Sequence, residues 1–135
     1  MDAASALADL TEISSQVEAA VILDDSGAVV ASTLEDAERS ARLARAALDL
    51  LGAADKRFES GGRALPQLEA ALREGSVFVA REAGRSIVAT TSPEPTSGLV
   101  FYDLKTCLRS LADAKPKATR KRRTTKADNG GDTDA

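Results

Sequence analysis

The sequence predicts a mixed α+β protein in which helices and short strands follow one another in the order αββαβββα. Three observations predict this class. Two short apolar runs are separated by a tight turn at residues 24–27. A long alanine-rich segment with helical spacing follows them. Three further short runs with turn residues between them then precede a last amphipathic helix.

The first helix is expected over residues 3–15, because Leu7, Leu10 and Ile13 recur three residues apart and form one apolar stripe. The strand that follows, residues 17–23, is apolar on both faces, which favours an interior position in a sheet. One face is predicted to carry Val17, Ala19, Val21 and Leu23, and the other Ala20 and Ile22.

The turn Asp24-Asp25-Ser26-Gly27 is expected to join this strand to a second one over residues 28–32. Gly27 suits the positive φ angle that such hairpin turns need. The aspartates suggest a metal loop, but the alternating oxygen ligands and the distal Glu of a calcium loop are missing. A solvated turn is therefore the preferred interpretation.

A second helix is predicted from residue 35 to residue 58, with Thr33 as its N-cap and Asp36 completing a motif that resembles a capping box. It carries two apolar stripes, although one stripe is enough to cover a sheet. Another part of the chain, or another copy of it, must cover the second stripe. The sheet-facing stripe is assigned to Ala37, Ala41, Ala44, Leu48 and Leu51, and the second to Leu43, Ala47, Leu50, Ala54 and Phe58.

Three more strands are expected, over residues 64–72, 77–80 and 86–91. Pro66 lacks a backbone donor, which restricts the first of them to a sheet edge or a strand start. One face of that strand is assigned to Leu68, Ala70 and Leu72. The apolar stripe of the last helix is assigned to Phe101, Leu104, Leu108 and Leu111.

The residue composition excludes several kinds of active site. The chain has no His, which removes the commonest general base and any Ser-His or Cys-His pair. Its one cysteine, Cys107, is interpreted as a small buried apolar residue. Glu94 and Asp103 lie near the start of the last helix, where the helix dipole favours acids. No phosphate-loop motif is present. We therefore expect no catalytic residue, no cofactor and no metal.

The charge is distributed unevenly along the chain. Residues 1–112 carry 11 Lys and Arg against 17 Asp and Glu, a net −6, whereas residues 113–135 carry 7 against 4, a net +3. The first part is the expected domain, and the second an expected disordered tail that could contact nucleic acid or an anionic membrane weakly. Neither a signal peptide nor a membrane span is recognised, so a cytoplasmic location is expected. The tail cations considered are Lys115, Lys117, Arg120, Lys121, Arg122 and Arg123.

Arg39, Arg42 and Arg45 are spaced three residues apart on the predicted second helix. Acidic neighbours allow surface ion pairs worth roughly 0.2–0.5 kcal/mol each, so a solvated face is the preferred interpretation. The functional alternative is a charged rim that faces a partner. In this alternative, one of these arginines could enter the active site of a GTPase as an arginine finger, because Arg stabilises the charge that develops in phosphoryl transfer.

These elements resemble the roadblock family of dynein light chain-like domains over about residues 3–112. The segments that carry the resemblance are VEAAVILDDSGAVVAS, the alanine-rich helix, QLEAALREG, VFVAREAGRSIVATT and GLVFYDLKTCLRSL. None of them is a catalytic signature, and their order makes the match specific. The chain looks most like small bacterial, and by its preference for Arg over Lys actinobacterial, roadblock proteins.

The resemblance implies a profilin-like fold, in which a five-stranded antiparallel sheet carries the second helix on one face and the first and last helices on the other. It also implies a homodimer formed by edge-to-edge pairing of the third strands and packing of the second helices. The interface would comprise Leu43, Ala47, Leu50, Ala54, Phe58, Leu68, Ala70 and Leu72. Roadblock proteins commonly bind Ras-like small GTPases, and the domain itself binds no nucleotide.

The predicted function is accordingly a non-enzymatic regulatory or scaffold module that acts as a homodimer on a small GTPase or its signalling complex. The alternative is an adaptor in which the domain dimerises and the basic tail anchors it to nucleic acid or an anionic membrane. No small-molecule substrate is expected.

Overall fold

The computed structural model describes residues 1–58 and 66–114, with side chains as far as Leu111. The predicted element order is confirmed. The helices are α1 (Ala3–Ile13), α2 (Ala37–Arg57) and α3 (Ser97–Ala114), and the strands are β1 (Val17–Leu23), β2 (Val29–Ser32), β3 (Gln67–Ala71), β4 (Ser76–Glu82) and β5 (Arg85–Thr91). The strands form one antiparallel sheet in the order β2-β1-β5-β4-β3.

The predicted end of the domain and the predicted start of the third strand differ from these ranges. Helix α3 continues to Ala114, two residues past the predicted end of the domain at residue 112. The rest of the predicted tail, and the predicted start of the third strand at residue 64, lie outside the described residues.

Helix α2 packs on one face of the sheet, and α1 and α3 pack together on the other. Strand β1 is an interior strand between β2 and β5, as its two-sided apolarity predicts. Its residues Val21 and Leu23 face α2, and Ala20 and Ile22 face α1 and α3. The predicted position of Val17 is wrong. A register shift between Val17 and Ala19 moves the Val17 side chain to the α1–α3 face, because one extra residue in a strand exchanges its faces.

The β1–β2 turn has the predicted form. Gly27 has φ +89°, and a Cβ there would come within 3.0 Å of the Leu48 Cδ1 atom. The Asp24 carboxylate accepts hydrogen bonds from the Ser26 hydroxyl at 2.7 Å, the Ser26 amide at 2.9 Å and the Ala28 amide at 3.0 Å. These donors, the Ser26 side chain foremost, lower the pKa of Asp24. The carboxylate is thus engaged in holding its own turn.

The predicted N-cap of α2 is wrong. The helix begins at Ala37, and Asp36 is its N-cap, accepting a hydrogen bond from the Glu38 amide at 2.9 Å. The Thr33 hydroxyl instead accepts from the Ala20 amide at 3.0 Å. Thr33 therefore continues the contact between β2 and β1, and the chain needs three more residues before the helix can start.

Two separate clusters of buried apolar residues fill the two sides of the sheet. The cluster on the α1–α3 side comprises Ala6, Leu7, Leu10, Ala20, Ile22, Phe78, Ala80, Ile87, Ala89, Val100, Leu104, Cys107, Leu108 and Leu111. The cluster on the α2 side comprises Val21, Leu23, Ala44, Ala47, Leu51, Val79 and Val88.

Candidate interaction surface

Strand β3 is an edge of the sheet among the described residues, because β4 is its one neighbour there. The Pro66 carbonyl accepts from the Arg81 amide, and Leu72 exchanges two hydrogen bonds with Gly75, so the even-numbered positions direct their main chain towards β4. Main-chain groups alternate in direction along a strand. The N–H and C=O groups of the odd-numbered residues of β3 therefore point to the outer edge, where they can pair with another strand.

Helix α2 lies mainly over β1, β2 and β5, and so leaves the β3 side of this face with little helical cover. Both α2 and β3 carry apolar residues that the rest of the chain does not fully cover. They are half-buried, and Leu43 and Leu68 both pack against the α2-side cluster. We refer to Leu43, Leu50, Ala54, Leu68 and Ala70 as the β3–α2 surface.

Not all of the predicted interface residues lie on this surface. Ala47 is 0% exposed between α2 and the sheet, so the prediction that it meets a second copy is wrong. Leu48, predicted to face the sheet, is 41% exposed. The face that packs on the sheet consists of Ser40, Ala44, Ala47 and Leu51. Sequence reasoning missed it because Ser40 is polar, and its hydroxyl is satisfied by Ser32 at 2.7 Å.

The two remaining predicted interface residues are exposed at the ends of their elements. Phe58 follows the last residue of α2, where its amide donates to the Ala54 carbonyl at 2.9 Å. Leu72 is 60% exposed and follows the end of β3 in the turn, so its predicted place in the strand is wrong. The contact of Phe58 and Leu72 with a second copy stays a prediction.

The three arginines predicted to face a partner are all exposed on α2. They take part in neither of the two ion pairs found between residues of the described ranges, which are Arg81–Asp55 and Arg109–Glu82. Arg39, Arg42 and Arg45 thus remain open to solvent in one chain. The basic residues of the predicted tail lie outside the described residues.

An ion pair that sequence reasoning missed fastens α2 to the sheet. The Arg81 guanidinium of β4 donates to both carboxylate oxygens of Asp55 in the last turns of α2, at 3.0 and 3.2 Å. The Arg81 side chain is about three-quarters buried, and the Asp55 side chain is about two-thirds buried. The partners are 26 residues apart in the sequence, so no local pattern indicates the pair.

A cavity of about 650 Å³ lies between the β1–β2 turn, the β4–β5 turn and the C-terminal part of α2. The polar groups around it include Asp24, Asp55 and Arg81, which already bind one another or their own turn. Among the described residues, no three Cys, Asp or Glu side chains are grouped as metal ligands. Over the same residues, no helix combines the length and apolar character that crossing a bilayer requires.

Comparison with known structures supports the fold. A Roadblock/LC7 domain from Streptomyces avermitilis is 19% identical, with a TM-score of 0.72 over 84% of this chain and 98% of that one. The gliding protein MglB from Thermus thermophilus is 15% identical, with a TM-score of 0.67 over 82% and 86%. A Loki profilin solved with rabbit actin is 13% identical, with a TM-score of 0.55 over 81% and 94%.

No curated protein has a sequence that matches the chain. Residues 4–91, which run from α1 to the end of β5, match the family described as the Roadblock/LC7 domain. The profilin-like α+β fold and the family predicted from the sequence are therefore confirmed, and the chain belongs to the Roadblock/LC7 family.

Proposed function

We propose that this protein is a non-enzymatic regulatory module of the cytoplasm, which acts as a homodimer and binds a small GTPase or its signalling complex. The observation that carries the proposal is the β3–α2 surface, where an open strand edge adjoins half-buried apolar side chains. The family resemblance supports the same residues, since it implies pairing through the third strand and the second helix.

Antiparallel pairing of β3 with its copy would satisfy the outward main-chain groups of both chains. It would also place the two β3–α2 surfaces side by side, because an isologous contact repeats each residue across the two-fold axis. Leu43, Leu50 and Leu68 would then lose their remaining contact with water, which is the main source of association free energy. One contact of this kind covers both the strand edge and the spare stripe of α2.

The proposed partner is a Ras-like small GTPase, as the resemblance implies. Arg39, Arg42 and Arg45 are exposed on the helix that the dimer would place at its centre. A row of guanidinium groups there suits an acidic surface or the phosphates of a bound nucleotide. Regulation requires that the dimer bind one conformation of the GTPase more tightly than the other, since equal affinity shifts no equilibrium.

The dimer is tested by Leu50→Asp, with Leu48→Asp as the matched control on the other side of the same helix. At ~10 μM protein, where mass action favours a dimer, we expect light scattering to give a dimer for wild type and for Leu48→Asp. Leu50→Asp should give a folded monomer, because it buries a charge against an apolar contact. A monomeric wild type, or an unchanged Leu50→Asp dimer, contradicts this part of the proposal.

The GTPase is tested by affinity capture from the native cytoplasm, followed by titration of any Ras-like GTPase in its GDP-bound and GTP-analogue-bound states. We expect tighter binding of one state and weaker binding by the triple variant Arg39→Ala, Arg42→Ala, Arg45→Ala. If these arginines also act on the reaction, the triple variant lowers the GTP hydrolysis rate at saturating protein. Equal affinity for both nucleotide states would remove the regulatory role.

A second candidate function rests on the +3 charge of residues 113–135. The protein would then be an adaptor whose tail holds the dimer on nucleic acid or an anionic membrane. A full-length variant with Arg120, Lys121, Arg122 and Arg123 changed to Gln should lose binding to DNA or anionic vesicles at low salt. Absence of such binding by wild type excludes this candidate and leaves the GTPase proposal untouched.

A further inference from the structure

A second incompletely covered surface lies between α1 and α3, on the face of the sheet opposite α2. The two helices pack against each other, and the Cys107 thiol donates to the Ala6 carbonyl at 3.6 Å. Beside this contact a groove of about 150 Å³ is lined mainly by apolar atoms. At roughly 30 Å³ for each water molecule, the groove has room for one large side chain. Two large side chains at its borders are exposed to solvent: Ile13 is 67% exposed and Tyr102 is 64% exposed.

The groove contains a buried carboxylate without a partner. Asp103 lines it, is 8% exposed, and makes no hydrogen bond or ion pair with any other residue of the described ranges. The nearby hydroxyls of Thr106 and Ser110 donate within their own helix, to the Tyr102 and Cys107 carbonyls at 2.8 and 2.7 Å. They are therefore not directed to the Asp103 carboxylate.

The charged side chains that line the groove around Asp103 are acidic. Asp9 of α1 also lines the groove, and no Lys or Arg does among the described residues. The Asp9 charge adds to the effect of burial, which is the larger cause, in raising the pKa of Cys107 to about 11. The cations of α3 lie elsewhere, since Lys105 and Arg109 line a different cavity beside Gln67, and Arg109 pairs with Glu82.

A buried and unpaired carboxylate costs free energy of folding, whereas a charge-assisted hydrogen bond to a guanidinium or ammonium group offsets that cost. The surrounding apolar atoms strengthen such a pair because they exclude water from it. Exposed Ile13 and Tyr102 add an apolar area that a bound segment can cover. The groove therefore suits a cation carried between large apolar side chains.

We propose that the groove between α1 and α3 binds a basic amphipathic helix of a partner protein, with an Arg or Lys of that helix paired with Asp103. Large apolar side chains one turn away on the partner helix, at the three- and four-residue spacing that places them on one face, cover Ile13 and Tyr102. This site lies on the other face of the sheet from α2. A dimer formed through the β3–α2 surface thus leaves it open to a second partner.

The chain's own tail has the charge but not the apolar residues that the groove requires. Residues 115–135 include seven Lys and Arg, yet no Val, Ile, Leu, Met, Phe, Tyr or Trp. Such a segment can approach Asp9 and Asp103 electrostatically, but it cannot cover Ile13 and Tyr102. The complementary occupant therefore comes from another protein.

The proposal is tested by selecting helical peptides of about 15 residues, roughly four turns, from a display library against the full-length protein. Selected peptides are then titrated by fluorescence anisotropy. We expect them to carry Arg or Lys flanked by large apolar residues. They should bind Asp103→Asn about tenfold more weakly, since the variant keeps the shape and removes the charge. Asp25→Asn, an exposed acid in the β1–β2 turn, should bind as wild type does.

Thermal unfolding separates a binding role from a structural one. Asp103→Asn should keep or raise the melting temperature, because it removes an unpaired buried charge. Ile13→Ser should weaken peptide binding with the fold intact, since that side chain is already exposed. Peptides without cations, equal affinity for Asp103→Asn, or a lower melting temperature of that variant would each overturn the proposal.

One further full-length variant identifies the occupant. In it, Arg120, Lys121, Arg122 and Arg123 are changed to Gln. Unchanged peptide affinity supports a partner helix in the groove. Markedly tighter binding would show that the tail competes for the groove, and it would overturn the assignment to another protein.

Discussion

On the α1–α3 side of the sheet, two helices contact each other as well as the strands, whereas on the α2 side a single helix lies over three of the five strands. Among the described residues, the first side buries fourteen apolar residues in one cluster and the second buries seven. The first core is complete within one chain apart from the small groove beside Asp103. The second core ends at half-buried residues next to an open strand edge. The two sides should therefore respond differently to substitution and to protein concentration.

The largest effect is expected from Phe78→Ala on the α1–α3 side. Phe78 is fully buried on β4, and its ring packs edge-on against Phe101 with centroids 5.0 Å apart. Removing a buried aromatic ring leaves a cavity, which lowers the free energy of unfolding by about 3–5 kcal/mol. Urea unfolding measures the loss, and Phe78→Leu should lose less. A loss that disappears at high protein concentration would mean that this core also depends on a second copy.

The face of α2 that packs on the sheet is tested by Ala47→Leu. Ala47 has no exposed area, so the larger side chain overpacks the core and lowers the free energy of unfolding by about 1–3 kcal/mol. Leu48→Ala is the control on the neighbouring exposed position, and it should change stability by less than about 1 kcal/mol. If Ala47→Leu instead leaves the free energy of unfolding unchanged and weakens only the dimer, Ala47 does not pack on the sheet.

The difference in pH dependence between wild type and Cys107→Ala probes the α1–α3 side. Burial, and then the Asp9 charge, raise the pKa of Cys107 from 9.0 to about 11. The folded state therefore holds the thiol proton more tightly than the unfolded state does. The resulting stability is complete below pH 9 and is lost as pH rises to about 11, a change of roughly 2 kcal/mol. Unfolding of wild type and Cys107→Ala at pH 8 and pH 11 isolates this contribution. Equal pH dependence in both would contradict it.

The smallest effect is expected from Asp55→Ala on the α2 side. This change removes the carboxylate that receives both hydrogen bonds from Arg81. The pair is partly open to solvent, so the loss should be about 1 kcal/mol. A cycle with Arg81→Ala and the double variant measures the coupling, which should fall with added salt. Zero coupling would mean that this ion pair adds nothing to the stability of α2 on the sheet.

The wrong prediction of Thr33 as the N-cap of α2 illustrates why local patterns misplace element boundaries. Thr33 with Asp36 three residues later matches a helix start, and Asp36 does cap the helix. The hydroxyl of Thr33 is nevertheless used by the Ala20 amide of the neighbouring strand. A sequence pattern weighs neighbours along the chain, whereas the fold brings in a competing partner 13 residues away. The prediction for Val17 is wrong for a similar reason. The pairing of β1 with β5 contains a register shift between Val17 and Ala19, which moves the Val17 side chain to the other face of the sheet.

Asp103 lies near the predicted start of the last helix, where the helix dipole favours acids, but its position along the helix carries a second signal. It lies three residues after Val100 and four before Cys107, which places it on the buried face of α3. A charged residue on such a stripe indicates either a partner within the chain or a site for one outside it. Only the packing of α1 against α3 shows that no described residue supplies that partner.

The sequence alone determined the element order, the interior position of β1, the turn at Gly27 and the family, because each depends on residues close together in the chain. The spare apolar surface of α2 could also be inferred, since two stripes exceed what one sheet contact needs. The tertiary structure decided which residues form that surface, which residues of β3 direct their main-chain groups to the open edge, and which carboxylate is buried without a partner among the described residues. These depend on small rotations of a helix and on register across strands, and neither is encoded in local periodicity.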